Sequence, residues 1–363
     1  MSDVNLFDRY LADDGPAALV ICEPLMPVEG REGVLFPATF AAGDNFSGGY
    51  NIDGDPDGEN VCLIDSVGSQ ANRIEPIFAG EKYQKLVPQV VITAGKEEVN
   101  LLAAGHRAGD AIVRCSTLQE ELQAAFRSVL KGDASPLAKV APTSLVFGVW
   151  DSRDTQAKLP RLIASTIRAY NVRKLRRSAQ YIPAIEYVAR ELLDEPGDKA
   201  TRDAYAERGF IHVPATGSPG GVIATGGIRR DATLALAALR LLRAGKDEEK
   251  TRALRRYILG LALTAFTAPP ASYLRQGCLL VCDPDEPRRF VEVESSGERK
   301  PATVTHAEAL KYATAAAEAF GVGESRTVPF ERDRAKADVA GDGEKKARGG
   351  KKGKKAEVSE APK

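Results

Sequence analysis

The sequence predicts an α+β fold, on three observations. Short apolar, β-rich runs and helix-spaced stretches are interleaved without the regular βα alternation of a doubly wound parallel sheet. No internal repeat of solenoid length is present. The 363 residues, 43% of them hydrophobic, suffice for a sizeable core and correspond to two domains or one elaborated domain.

Taken in order, AALVICE at 17–23 predicts a first strand ended by Pro24. Residues 26–60 are crowded with Gly, Pro, Asp and Asn and predict an irregular excursion. VCLID at 61–65 is a second apolar run, and PQVVITAG at 88–95 and AIVRC at 111–115 are further strand candidates. LQEELQAAFRSVL at 118–130 combines helical spacing with strong helix formers. SLVFGVW at 144–150 predicts a buried strand, and the stretch from Pro160 to Tyr170 a helix with proline in its first turn. TLALAALRLL at 233–242 is apolar almost all round and predicts a buried helix, followed by a longer one near 248–266. Strands are expected around 278–282 and 289–294. Thr305 with Glu308 makes a capping box for a final helix to about Phe320. From 331 onward Lys, Gly, Ala and acids predominate without aromatics, which predicts a disordered Lys-rich tail over 331–363. One elaborated domain is therefore expected over 1–330, with insertions within 26–60 and 195–225.

Composition excludes some classes. Lys+Arg and Asp+Glu are both 50, so the chain is neither uniformly basic nor uniformly acidic. Five scattered cysteines, and a start that lacks the basic flank and apolar stretch of a signal peptide, predict reduced thiols in a cytoplasm. The longest apolar segment, at 257–268, falls short of the ~20 residues that span a bilayer.

Local charge is more telling. Between Arg153 and Arg177 lie eight basic residues against one acid, Asp154. On a helix, Leu159, Leu162, Ile163, Thr166, Ile167 and Tyr170 would share one face, with Arg161, Ser165 and Arg168 opposite. Guanidinium matches phosphate with a planar fork of donors, so a polyanion is the expected partner; a solvated helix face beside a basic loop is the plainer alternative. Tyr170 and Tyr181 flank this stretch as stacking or core residues. The tail adds Lys345, Lys346, Arg348, Lys351, Lys352, Lys354 and Lys355, either as a solubilising end or as a salt-sensitive, sequence-blind contact to nucleic acid.

Motifs for catalysis and cofactors are lacking. His106, His212 and His306 have no zinc-ligand spacing, and Cys278 and Cys282 read as small core residues. Asp53, Asp55, Asp57 and Gly58 imitate an EF-hand start, but its twelfth position is Ile64. The glycine cluster at 217–227 contains no P-loop lysine, though it can bring backbone close to a phosphate. Aspartates 65, 110, 151 and 154 are the only set offered for metal-dependent phosphodiester cleavage.

Four long blocks in fixed order carry a resemblance: VCLIDSVGSQANRIEP at 61–76, HRAGDAIVRCS at 106–116, LAKVAPTSLVFGVWDSRDTQAKLPR at 137–161 and GGVIATGGIRRDATLALAALRLL at 220–242. Over residues 17 to 330 the chain resembles the backbone subunit of type I-U (I-G) CRISPR surveillance complexes, a branch of the repeat-associated RAMP proteins. The resemblance implies a modified RRM-like (ferredoxin-like) palm, β-α-β-β-α-β, with large finger and thumb insertions. It also implies head-to-tail stacking of copies along a crRNA whose spacer pairs with target DNA. The implied partners are the RNA-processing or end-capping subunit, the large subunit and a recruited helicase-nuclease. No catalytic residue, metal or cofactor is implied.

A subunit that holds any guide should grip phosphates and 2′-hydroxyls and leave base edges free. The residues fitting that role are Ser69, Gln70, Asn72, Arg73, Arg107, Arg153, Gln156, Lys158, Arg161, Arg168, Arg176 and Arg177, with Arg161 and Arg168 foremost. RRM-type stacking aromatics are missing. The rivals are a metal-dependent ribonuclease of the type III backbone kind and a general single-strand-binding protein.

Overall fold

The first strand does not stop at Pro24. In the computed structural model, which describes residues 5–55 and 58–340, β1 spans Ala18–Pro27, with Leu19, Ile21 and Leu25 buried and Val20, Cys22 and Met26 half-covered on the other face. One edge of β1 is divided between two partners: β8 (Arg289–Val293) pairs with Ala18 to Cys22, and β7 (Cys278–Cys282) with Leu25 to Pro27. Pro24, which has no N–H to donate, falls in the gap between them.

β1 belongs to a nine-stranded sheet whose paired neighbours are all antiparallel. Its other strands are β2 (Ile52–Gly54), β3 (Asn60–Asp65), β4 (Ile163–Tyr170), β5 (Ile228–Ala235), β6 (Tyr273–Arg275) and β9 (Arg299–Pro301). The order is β6-β7-β1-β5-β4-β3-β2, with β8 joining β1 to β9. The helices among the described residues include α1 (Val67–Ile74), α2 (Ala111–Arg114), α3 (Gln119–Leu130), α4 (Ser135–Val140), α5 (Thr143–Phe147), α6 (Lys199–Glu207), α7 (Leu236–Leu239), α8 (Glu248–Thr267) and α9 (His306–Phe320). Asp247 caps α8, and Thr305 and Glu308 form the predicted capping box of α9.

The inner face of the sheet carries the core. Leu19, Ile21, Ile163 and Leu234 pack with Leu254, Tyr257, Ile258 and Leu261 of α8 and with Ala309, Tyr312 and Ala313 of α9. Farther along the same strands, Leu25, Ile167, Ala169 and Ile228 pack with Leu35, Tyr50 and Val222. Gly221 allows that second closure: its φ is +97°, and a Cβ would come within 2.4 Å of Val34. Part of the glycine cluster is thus consumed by packing.

Four predicted elements change type. AIVRC folds as α2, because the Asp110 carboxylate accepts from the Ile112 N–H and starts a turn. SLVFGVW folds as α5, all five of whose residues are buried, followed by the two-residue strand Val149–Trp150; an apolar run of that length fits either element. Pro160 to Tyr170 is not a helix: Ile163–Tyr170 is β4, paired on both edges, with β5 and β3. Residues 233–235 end β5, and only Leu236–Leu239 are helical.

Beyond the nine-stranded sheet, Val172–Tyr181 and Val213–Ala224 form a two-stranded antiparallel ribbon, with residues 182–212 and α6 at its far end. A small separate sheet sets Arg326–Pro329 parallel to Val90–Ala94, which pairs in turn with Glu97–Asn100. Residues 332–340 are helical where disorder was expected. Arg114 holds Asp338 at 2.6 Å, and Arg334 reaches Gln119 and Glu120, so specific polar partners order this segment. The lysine cluster at 345–355 lies outside the described residues.

Candidate nucleic-acid interface

Two stretches far apart in sequence, 105–114 and 148–161, line one groove of about 650 Å³, and the end of α1 abuts it through the bond from Arg107 to Asn72. The helix α1 starts directly after β3 because Ser66 caps it, its Oγ accepting from the Ser69 N–H. Gln70 then points inward. Its amide donates to Asp65 at 2.7 Å and its carbonyl accepts from Ser165 Oγ at 2.9 Å. Arg73 turns back to the same carboxylate at 3.1 Å. Asn72 is the exposed member, and its Oδ1 accepts from Arg107.

Arg107 is the floor of the groove. It occupies the left-handed region, with φ of 55°, and is buried with its Nε 2.6 Å from Glu75. It donates to the Gly148 carbonyl and lies 5.4 Å from the Phe147 ring centroid. Burial pushes the Glu75 carboxyl up to about 7 against the pull of Arg107. The same burial lowers the Arg107 guanidinium. Gly148, with φ of 76°, keeps the space that Arg161 needs, since a Cβ there would stand 2.9 Å from Arg161 Cγ.

The segment 151–157 is folded on Asp151, a buried carboxylate that accepts from the Thr155 N–H and hydroxyl at 2.8 and 2.6 Å. Arg153, Lys158 and Arg161 line the groove from there. Gln156 sits in the same loop at φ of 60° and donates to Ser152 O.

The groove therefore gathers Arg107, Arg153, Lys158 and Arg161, with Asn72 at its margin. Of the expected gripping groups, Gln70 and Arg107 are buried and bonded inside the fold, Gln70 to Asp65 and Ser165 and Arg107 to Glu75 and the Gly148 carbonyl, although Arg107 also lines the groove. Ser69 and Arg73 are half-buried on α1. Arg176 and Arg177 lie exposed on the ribbon, Arg177 over the Phe36 ring at 5.9 Å. His106, 87% exposed in its side chain, stands by Asp110 on the groove wall.

Arg168 occupies a second surface, the outer face of the nine-stranded sheet. There strand alternation replaces the expected helical spacing, so Arg168 is set opposite Arg229 while Ser165 turns inward. Arg229 lies over Tyr170 at 5.1 Å and donates to its hydroxyl and to Asp231. Arg289 extends this face toward Cys22. Arg229, Arg289 and the exposed Trp150 were missed in the sequence. Arg229 stands beside Arg230 in GGIRRD, but the buried Glu23 that pairs with Arg230 leaves only the first arginine outward.

The four aspartates do not converge. Asp65 is sealed by Gln70, Arg73 and Arg275, Asp110 caps α2 and Asp151 folds its own loop. Among the described residues no group of three or more His, Cys, Asp or Glu is placed to hold a metal ion. Cys278 is buried but Cys282 is exposed, so the core reading holds for the first alone. Tyr181 is 54% exposed, which removes it from the core. No helix among the described residues is long and apolar enough to cross a membrane.

No curated protein matches the chain. The family model described as CRISPR-associated protein GSU0053 matches residues 19–174, from β1 through β4 to the root of the ribbon. That span holds every cation of the groove, and over it the chain is similar to this CRISPR-associated family.

Proposed function

We propose that the chain is a non-catalytic, crRNA-binding backbone subunit of a type I surveillance complex of the I-U (I-G) kind. Copies stack head to tail along the guide and present its spacer for pairing with target DNA, beside an end-capping processing subunit and a large subunit. A helicase-nuclease is recruited to the assembled particle and does the cutting.

One observation carries this reading: Arg153, Lys158 and Arg161 line a single groove, with Asn72 bonded to Arg107 beside it. Cations and an amide suit phosphate and 2′-hydroxyl contacts, which hold a strand without reading its bases. The strand order β8-β1-β5-β4 supports it further. It is the order a β-α-β-β-α-β palm requires, with the helices before β4 and α8 as the two crossovers. The ribbon between β4 and β5 has the place of a thumb-like insertion.

The test is co-expression with the genomic neighbours and a CRISPR array, followed by sequencing of co-purified RNA. Discrete repeat-spacer RNAs in a large nuclease-protected particle are expected. Heterogeneous RNA would favour a general single-strand binder. Magnesium-dependent cutting of guide-complementary RNA, abolished by one Asp→Ala change, would favour a ribonuclease.

A further inference from the structure

Trp150 is the chain's only tryptophan, and 56% of it is exposed. It stands in the groove directly across the strand pair from Lys158, whose ammonium lies 5.5 Å from the indole centroid. Arg153, Pro160 and Arg161 share the same lining. The backbone that carries the indole is held in place. The Trp150 carbonyl packs against the 107–109 turn, where a Cβ on Gly109 would approach to 2.9 Å. The next residue, Asp151, is buried, with its N–H donating to Ala157 O at 2.9 Å.

A flat, exposed aromatic surface on a held backbone, flanked by cations, suits a ligand that joins a π face to a nearby negative charge. A nucleotide does so, whereas a purely apolar partner would leave Lys158 and Arg161 without a counter-charge. The groove volume of about 650 Å³ falls within the roughly 300–1,000 Å³ range of small-ligand sites.

We propose that Trp150 is a stacking platform for one nucleobase of the bound strand, with Lys158 and Arg161 taking the flanking phosphates. The inference rests on the RNA-binding reading above and adds a base contact to it. Because every base presents a π face, such a contact is tolerant of sequence.

The single tryptophan makes the test direct. The full chain is titrated with end-labelled single-stranded RNA of guide length, and label anisotropy and tryptophan emission are read together. Emission should change in step with anisotropy for several unrelated sequences. Neither inorganic phosphate nor an abasic ribose-phosphate oligomer should reproduce it. Trp150→Ala should weaken binding about fivefold or more, and Trp150→Phe should retain most of the affinity. RNA binding with unchanged emission and a wild-type affinity for Trp150→Ala would overturn the platform and leave the proposed function standing. Emission that changes with protein concentration alone would assign Trp150 to a contact between copies. Failure of the wild-type chain to bind RNA would overturn both readings.

Discussion

Arg107 and Glu75 form an ion pair of 2.6 Å beneath the groove, with side chains only 3% and 1% exposed. Through Arg107 the pair fixes Asn72 and the Gly148 carbonyl, two parts of the groove that share no secondary structure. The floor of the site is therefore an electrostatic pin, and its strength depends on whether Glu75 is ionised.

Burial raises Glu75 to about 7 in the folded chain, above the ordinary carboxylate range. A carboxyl raised in this way binds its proton more tightly when folded. Its contribution to stability is present below the unfolded pKa and is lost as pH rises through about 7. Arg107→Met removes the counter-charge, so its cost should approach about 3–5 kcal/mol at pH 8 and be markedly smaller at pH 5. Urea unfolding at both pH values checks this, and an equal loss at each would contradict it.

Asp65 is fully buried between Arg73, Arg275 and Gln70, which belong to α1 and β6. Asp65→Ala strands two guanidiniums at once and should cost about 3 kcal/mol or more. A thermal scan with an unchanged midpoint would show that the network carries no stability.

Gly260 of α8 faces Ala313 of α9, where a Cβ would stand 2.7 Å from Ala313 Cα. Gly260→Ala gains about 1 kcal/mol of helix propensity but overpacks the crossing by about 1–3 kcal/mol, so the variant should be neutral to 2 kcal/mol less stable. Adding Ala313→Gly removes only the Ala313 Cβ, 3.1 Å from the new methyl, and keeps the Cα, so a double-mutant cycle should show a partial recovery of the overpacking cost.

Arg161 and Arg168 lie on different surfaces, seven positions and roughly 20 Å apart at strand rise. Arg161→Glu and Arg168→Glu should each weaken RNA retention for all guides alike, and their effects should add. Each lost phosphate contact should flatten the salt dependence by a slope of about 0.7. A loss confined to one guide sequence would refute the backbone grip.

Elements whose signals are local were legible in the sequence. The capping box at Thr305, the long apolar face of α8 and the alternation of β1 each depend on neighbours within a few residues. The stretch 160–170 misled because its strand alternation is masked. Ser165 is buried although polar, and only the distant Gln70, which accepts its hydroxyl proton, makes that burial affordable. Thr166 on the opposite face is nearly covered as well. The basic run from Arg153 to Arg161 was visible as uncompensated charge. That Asn72, Arg107 and Gly148 converge beneath it is set by tertiary contacts, and Trp150 was hidden in an apolar run with no period of its own.

The ribbon is tied to the nine-stranded sheet at its root: Asn60 donates to Val172 O and accepts from Val172 N–H, Leu35 and Val222 exchange backbone bonds, and the Gly221 N–H donates to the Tyr50 hydroxyl. From there ten residues run to Tyr181, and α6 beyond them buries nothing. Beyond those ties the free arm runs from Leu175 to Tyr181, about 23 Å at ~3.3 Å per residue, so a tilt of about 10° there moves the far end ~4 Å while the sheet and its core stay unchanged.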